Sequence, residues 1–516
     1  MLDRLGPNWA KFRSSVWRAR LGAFLCGALA VPAFAPFGLW PLALLSLLGL
    51  LALLQGQRPR RALLLGLAWG LGLNLPGLWW IHVSMTQFGG INLPMAVVLV
   101  GLLCLYLSLF PALACGLLAR LWPVSDWRRY LVGLPLLWLL ADWGLGHLLT
   151  GFPWLWLGYS QIDTPLAGFA PLLGVQGVTL ALLLCVAGLL LAARQRRWPW
   201  LLLPLGLFGV GALLKPIAWT QDGKPLKFAL MQGNIPQAMK WDPAMVRPTL
   251  LRYMDMSRLN QDADVIIWPE SAVPALENEV PEFLVNVDKA MRFNNTGFIT
   301  GIQVMEPDTE RFYNALLGLG QMDQDELEEY QFGHANRYYK HHLLPIGEFV
   351  PFGDLLRPLA PFFNLPMSSF SRGEAVQPNL LVQGHHFAPA ICYEIAFSDE
   401  LRRNVNADTH YIVTVSNDTW FGTSIGPWQH MSIARMRALE LGKPVLRATN
   451  SGVTVAIDAK GEVMKTLPQF EEGVLRASVA PAQGQTPYNR LGSAPLLLLL
   501  ALGWLLGRWR RPEEAD

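Results

Sequence analysis

Phe387-Ala388-Pro389-Ala390-Ile391-Cys392-Tyr393-Glu394 is a short apolar run that stops on a cysteine, just ahead of the polar Ser398-Asp399-Glu400. It reads as a strand that carries a thiol to its end. The chain has five cysteines. Cys26, Cys104, Cys115 and Cys185 lie inside long apolar runs, where a thiol behaves as a small buried hydrophobe. Cys392 alone sits in polar, globular sequence. A lone cysteine at a strand end, with candidate bases elsewhere in the same region, is a candidate nucleophile. One cysteine cannot form an intramolecular disulfide there, so cysteine usage leaves the compartment open.

The surrounding composition is that of a membrane protein. Of 516 residues, 52% are hydrophobic, 15% are charged and 21 are Trp; a soluble domain has about 25% charged residues. The net charge of +3 carries no nucleic-acid signal. By length and apolarity, seven spanning stretches precede residue 216, roughly 21–37, 39–55, 62–83, 94–119, 130–149, 171–193 and 198–215. A short eighth covers roughly 494–508. Basic residues precede the first stretch (Arg4, Lys11, Arg13, Arg18, Arg20), as in a signal peptide. No convincing cleavage site leads into a polar mature protein, so a retained first helix is expected.

Charge parity gives an orientation. Arg58, Arg60 and Arg61 follow the second stretch, Arg120, Arg128 and Arg129 the fourth, Arg194, Arg196 and Arg197 the sixth, and Arg508, Arg510 and Arg511 the eighth. The alternate loops, near Ala35–Gly38, Ser84–Leu93 and Thr150–Gly168, have no Lys or Arg. Basic loops face the cytoplasm, so both termini are expected there and residues 216–490 on the outer side. Three parts follow: a membrane domain at 1–215, an exterior domain at 216–490, and a last helix with a cytoplasmic tail at 491–516. Two features of the membrane part remain open. Asp142 is a carboxylate within a spanning stretch, a site candidate or a satisfied packing residue. The aromatic loop Gly151–Tyr159 reads as an interfacial belt, with a lipid-side wall as the alternative.

Residues 226–480 change character. β-rich runs (Lys227–Met231, Asp264–Trp268, Thr296–Ile302, His410–Val415, Val453–Ile457) alternate with helical ones (Met245–Gln261, Pro281–Phe293, Gln429–Leu441), and Ile457–Val463 reads as a hairpin turn. This predicts one α/β domain of about 250 residues. Val265-Ile266-Ile267-Trp268-Pro269-Glu270 brings a carboxylate to a sheet rim, where the sites of α/β folds collect. Tyr338-Tyr339-Lys340-His341-His342 brings an ammonium between aromatics, where it could equally snorkel over a ring. Adjacent histidines on a strand face opposite ways, and no third ligand has metal spacing; no metal is expected. Glu, Lys and Cys are what thiol acyl transfer requires. The carboxylate takes the thiol proton; the cation and a backbone N–H, that of Tyr393, stabilise the tetrahedral oxyanion. Such neighbours predict a depressed Cys392 pKa. No Gly-x-Ser-x-Gly elbow is present.

The ordered set Trp268-Pro269-Glu270, Tyr339-Lys340-x4-Pro345-x2-Glu348 and Cys392-Tyr393-Glu394 resembles the nitrilase, or carbon–nitrogen hydrolase, superfamily. Lys340 follows Glu270 by 70 residues and Cys392 follows Lys340 by 52. With the multi-span first half, residues 15–510 resemble the apolipoprotein N-acyltransferases of the bacterial inner membrane. Gln232-Gly233-Asn234-Ile235-Pro236, Trp241 and Ser416–Gly422 match as well. The resemblance implies a polytopic helical membrane domain of about eight spans plus a nitrilase-like αββα sandwich in the periplasm. It implies Glu270 as base, Lys340 as oxyanion stabiliser and Cys392 as nucleophile, with supporting roles for Trp241, Glu348, Tyr393 and Glu394. It implies a ping-pong reaction from a phospholipid donor to the α-amine of a diacylglyceryl-cysteine on an apolipoprotein. No cofactor and a monomer are expected. Phe349–Gly353, Leu355-Leu356 and Pro361–Met367, rich in aromatics and prolines, suit a mobile lid resting on lipid, which would favour an amine over water; packing onto the domain's own core is the alternative. Glu348 and Glu394 read as residues that position Lys340. Two other functions compete: a membrane-anchored exterior amidase or nitrilase, and a transporter with an exterior binding domain. Eight spans exceed an anchor, the lid is too apolar for a water-soluble substrate, and the helices lack the ionisable residues and matched broken halves of a transporter.

Overall fold

A computed structural model describes residues 15–322, 329–345, 347–349 and 370–509. The lid expected between Phe349 and Met367 lies, from Val350 onward, outside them. The chain divides into two units: the described parts of Met1–His82, Pro94–Ile217 and Arg490–Asp516, and Val83–Leu93 with Ala218–Asn489.

The first unit is helical. Among the described residues, four helices are long and apolar enough to cross a membrane: Val16–Ala33, Leu93–Leu121, Arg129–Thr150 and Pro165–Gln195. Pro59–Gly77 with Ile81–Phe88 makes a fifth if that pair, bent by 54°, counts as one span. The other three stretches expected to span form the shorter helices Pro41–Leu53, Trp198–Leu214 and Ala494–Leu506. Each falls short of the roughly 20 residues a perpendicular span needs. So all eight stretches become helices, and among the described residues four, or five with the bent pair, are long enough to span. Helices Val16–Ala30 and Pro59–Gly77 touch backbone to backbone: a Cβ on Gly27 would lie 1.9 Å from the Trp69 carbonyl oxygen, and one on Gly72 would lie 2.0 Å from that of Phe24. Small residues at helix crossings allow that approach.

The aromatic loop differs from the expected belt. Trp154, Trp156 and Tyr159 are buried inside this unit, with the Trp154 ring 5.4 Å from that of Trp80. Gly77 and Gly158 leave room for the loop, since a Cβ there would meet Leu155 at 2.7 Å and Val175 at 2.4 Å. Asp142 lines a small cavity with Asn74, Trp69 and Trp138.

The second unit is two stacked six-stranded sheets. The first has the order β13-β2-β3-β4-β5-β6, built from Leu226–Gln232 (β2), Val265–Ile267 (β3), Gly297–Glu306 (β4), Arg311–Gly320 (β5), Arg337–Tyr339 (β6) and Gly473–Val479 (β13). The second has the order β12-β11-β10-β9-β8-β7, built from Leu380–Val382 (β7), His385–Ile391 (β8), Thr409–Ser416 (β9), Val445–Thr449 (β10), Val455–Ile457 (β11) and Val463–Thr466 (β12). A two-stranded ribbon pairs Gln221–Asp222 (β1) with Ala482–Gln483 (β14). Strands β2, β3 and β4 run parallel, as do β8, β9 and β10. The flanking strands are antiparallel.

The two-residue period of a strand sorts side chains into two cores. Phe228 and Leu230 of β2 meet Phe387, Ile391, Val413 and Leu446 between the sheets. Ala229 and Met231 of the same strand meet Tyr253, Leu284 and Val287 of helices Pro243–Arg258 and Pro281–Phe293. Helix Gly426–Leu441 covers the other face of the second sheet, and 14 of its 16 residues are buried. The result is helix, sheet, sheet, helix. The hairpin at Ile457–Val463 forms as the sequence predicts: Asp458 Oδ1 accepts from the N–H groups of Lys460 and Glu462, both at 2.9 Å.

Candidate active site

Glu270 follows β3, Lys340 follows β6 and Cys392 follows β8, so three strands end on the three residues singled out in the sequence. Proline ends the first run: Pro269 removes a donor and stops the ladder. β4 must pass close beneath this turn, and Gly301 permits it. A Cβ there would lie 2.5 Å from Ser271 N and 2.8 Å from Glu270 Cα.

Both oxygens of the Glu270 carboxylate are held. Asn314 Nδ2 donates to Oε1 at 2.8 Å and the Asn417 N–H donates to Oε2 at 2.9 Å. The Glu270 carbonyl accepts from Lys240 Nζ at 2.9 Å. Asn314 also donates to Glu348 Oε1 at 3.1 Å, which ties the two carboxylates together. Glu348 in turn grips Lys340, with Nζ 2.8 Å from Oε1 and 2.7 Å from Oε2. Burial works to lower the Lys340 pKa, but the Glu348 and Glu270 carboxylates hold it above its ordinary value. Lys340 is therefore an ammonium at neutral pH, with its charge inside the protein.

Glu394 joins the lysine loop to the cysteine loop. Its Oε1 accepts from Tyr338 Oη (2.9 Å), His341 N (2.7 Å) and His342 N (3.0 Å), and its Oε2 accepts from Ile391 N (2.7 Å). Burial raises its pKa. These four donors make Glu394 a staple between two strand ends.

Cys392 has φ of 54°, a left-handed conformation that strains a residue with a Cβ and that clusters at functional sites. Its thiol pKa differs from expectation. The sequence predicts a depressed value; in the structure it is pushed up to about 12, by burial first and by Glu270 second, with Lys340 working the other way. Burial disfavours a thiolate more than one buried ammonium favours it. The Cys392 sulfur therefore rests as a thiol, with the Glu270 carboxylate and the Lys340 ammonium both acting on it.

Glu270, Lys340, Cys392, Glu348 and Glu394 thus come together. The Tyr393 ring is buried against Phe397 and His342, at 5.0 and 5.7 Å between ring centroids. Trp241 carries the Lys240 ammonium 5.8 Å from its ring centroid; among the described contacts it reaches Glu270 only through Lys240. His342 pairs with Glu400 at 3.0 Å, and no group of three or more metal-ligating side chains occurs among the described residues.

The sequence reading missed Asn314, Lys240 and His430. Asn314 is a lone amide in the buried strand Tyr313-Asn314-Ala315-Leu316, and that polarity was its only signal. Lys240 is fully buried and its pKa falls to about 8, because burial outweighs the charges of Glu270 and Cys392.

Residues 26–189 match the family model described as the apolipoprotein N-acyltransferase N-terminal domain, and residues 227–487 match that of carbon–nitrogen hydrolases. The apolipoprotein N-acyltransferase of Vibrio vulnificus (strain CMCP6) is 50% identical over 493 residues, covering 95% of this chain and 97% of its own. The chain belongs to the apolipoprotein N-acyltransferase family. The enzyme of that name from Vibrio cholerae is likewise 50% identical, over 95% and 97% of the two chains. Among solved structures, a nitrilase-superfamily protein of Saccharomyces cerevisiae aligns with 50% of this chain and 92% of its own, at 16% identity and a TM-score of 0.36.

Proposed function

We propose that this chain moves a fatty acyl group from a phospholipid, through a thioester on Cys392, to the α-amine of the diacylglyceryl-cysteine that begins an apolipoprotein. Family membership supports the overall activity. The observation that carries the chemistry is the convergence of a part-buried thiol, a doubly held carboxylate and a buried ammonium, each just beyond the end of a strand, from two stacked sheets.

In the first half-reaction the sulfur attacks the ester carbonyl as Glu270 takes the thiol proton. The Lys340 ammonium and the Tyr393 N–H meet the developing oxyanion, which preorganised donors stabilise strongly. The C–O bond then breaks, the proton passes from Glu270 to the departing alkoxide, and a lysophospholipid leaves. In the second half-reaction the α-amine attacks the thioester and gives its proton to Glu270. The C–S bond breaks, the sulfur regains a proton, and an amide has formed. Electrons and protons balance without a further reactant. On the charge-parity reading, residues 216–490 lie in the periplasm of a bacterial inner membrane and both termini are cytoplasmic; as a separate part of the proposal, the chain acts as a monomer.

The test is incubation of the purified full chain with a defined phospholipid, followed by intact mass. A thioester adduct absent from Cys392→Ala, then discharged onto a diacylglyceryl-cysteine peptide, is the expected result. No adduct with any phospholipid would overturn the reading, and an adduct that only hydrolyses would favour an amidase.

A further inference from the structure

The peptide group between Cys392 and Tyr393 has two polar ends. Its N–H is the proposed oxyanion donor. Its carbonyl points the other way, because a trans peptide sets C=O and N–H antiparallel. That carbonyl meets a side chain from helix Gly426–Leu441: His430 Nε2 lies 3.0 Å from the Cys392 oxygen. A carbonyl only accepts, so Nε2 carries the proton. His430 Nδ1 faces Arg447 Nη2 at 3.0 Å and Asp418 Oδ1 at 3.3 Å. A guanidinium only donates, so Nδ1 accepts from it and the ring is neutral. Burial first, and then Arg447, lower the His430 pKa, which agrees with that assignment.

The ring is not free to turn. Arg447 Nη2 also bonds Asp418 Oδ2 at 2.6 Å, and Ser416 Oγ donates to Asp418 Oδ1 at 2.6 Å. Ser416, Asp418, His430 and Arg447 are all buried. Ser416 ends β9 and Asp418 lies just beyond it, Arg447 stands on β10 and His430 on the covering helix.

We propose that His430 is a positioning residue that fixes the Cys392–Tyr393 peptide by its carbonyl, so that the N–H on the opposite side stays aimed at the oxyanion. The proposal rests on the thioester chemistry above. A left-handed cysteine leaves this peptide strained, and a strained peptide can relieve itself by rotating. The hydrogen bond from His430 opposes that rotation and, by drawing on the carbonyl, strengthens the N–H as a donor. It acts on the oxyanion and not on the sulfur, and that difference can be measured.

Two rates separate the roles. Acylation of Cys392 by phospholipid passes through an oxyanion; alkylation by iodoacetamide is a displacement at saturated carbon and does not. In His430→Leu, single-turnover acylation followed by intact mass falls by about 30-fold, short of the 10²–10³ that loss of an oxyanion donor costs. Alkylation at the same pH changes by less than about threefold. His430→Gln, whose amide reaches as far as Nε2, restores most of the acylation rate. His430→Asn, which reaches only as far as Nδ1, does not, and it supplies the same comparison should the leucine variant not fold. Equal losses in acylation and alkylation, or acylation at the wild-type rate in His430→Leu or His430→Asn, would overturn the proposal. Wild-type chain that forms no adduct would overturn the thioester reading itself, and this proposal with it.

Discussion

Replacing Glu270 by Gln separates two things that a carboxylate can do beside a thiol. Glu270 contributes to a Cys392 pKa of about 12, second only to burial. Removing its charge therefore makes the thiolate easier to form. Each unit of relief is worth about 1.4 kcal/mol and about tenfold in thiolate fraction. The same change removes the proposed base, a loss of about 10²–10⁴ in the acylation rate. Glu270→Gln should thus alkylate faster with iodoacetamide, by about tenfold, while acylating far more slowly from phospholipid. The substitution also has a structural cost. Asn314 Nδ2 and the Asn417 N–H both donate to this side chain, so the new amide nitrogen must face one donor. One charge-assisted hydrogen bond is lost, about 1–3 kcal/mol, which a lowered Tm in detergent would report. Thiol reactivity is read by following alkylation of Cys392 against pH, with Cys392→Ala as the blank. If alkylation slowed in parallel with acylation, Glu270 would be activating the resting sulfur, and a thiol held neutral until it reacts would be the wrong picture.

Lys240→Met should change the pH dependence of stability. The buried amine loses its proton near pH 8 in the folded chain and near its ordinary 10.5 in the unfolded one. Between those values the unfolded state binds more protons, so wild-type stability gains ~3 kcal/mol from this group as pH rises through the window. The variant lacks that gain, so its advantage at pH 7 should vanish by pH 10.5 in unfolding measurements; a constant offset would contradict the assignment. Glu394→Gln should cost about 2–4 kcal/mol, because an NH2 cannot accept from the Ile391 N–H while the carbonyl serves Tyr338, His341 and His342. Acylation by the folded fraction should fall as the lysine and cysteine loops part, and an unchanged rate would remove Glu394 from its positioning role. Gly301→Ala should lower stability by about 1–3 kcal/mol and slow acylation more than alkylation, since the added methyl meets the Glu270 backbone; wild-type acylation would show that the turn has room to move.

Much of this fold is legible along the chain. Apolar runs of helical length marked the first unit, and β-rich runs such as Lys227–Met231 marked strands. Runs ending on Glu270, Lys340 and Cys392 marked three strand ends. These signals are local: hydrophobic period, proline, and the type of residue that ends a run. Length was the weak point, because apolarity marks a helix before it shows how far the helix extends. Pro41–Leu53 stops at 13 residues.

Other features exist only once the two sheets stack and helix Gly426–Leu441 closes over the second. That helix is buried nearly all round, so its sequence has no polar face against which His430 could stand out. Asn314 becomes meaningful because β5 lies beside β4 and β6, where one amide can bridge Glu270 and Glu348. The Cys392 pKa also depends on packing. It rises because the convergence that brings an ammonium near the sulfur also removes the water that would stabilise a thiolate and sets the Glu270 carboxylate close by. Residue types and their order are written in the chain, whereas desolvation and hydrogen-bond partners depend on which distant segments share a volume.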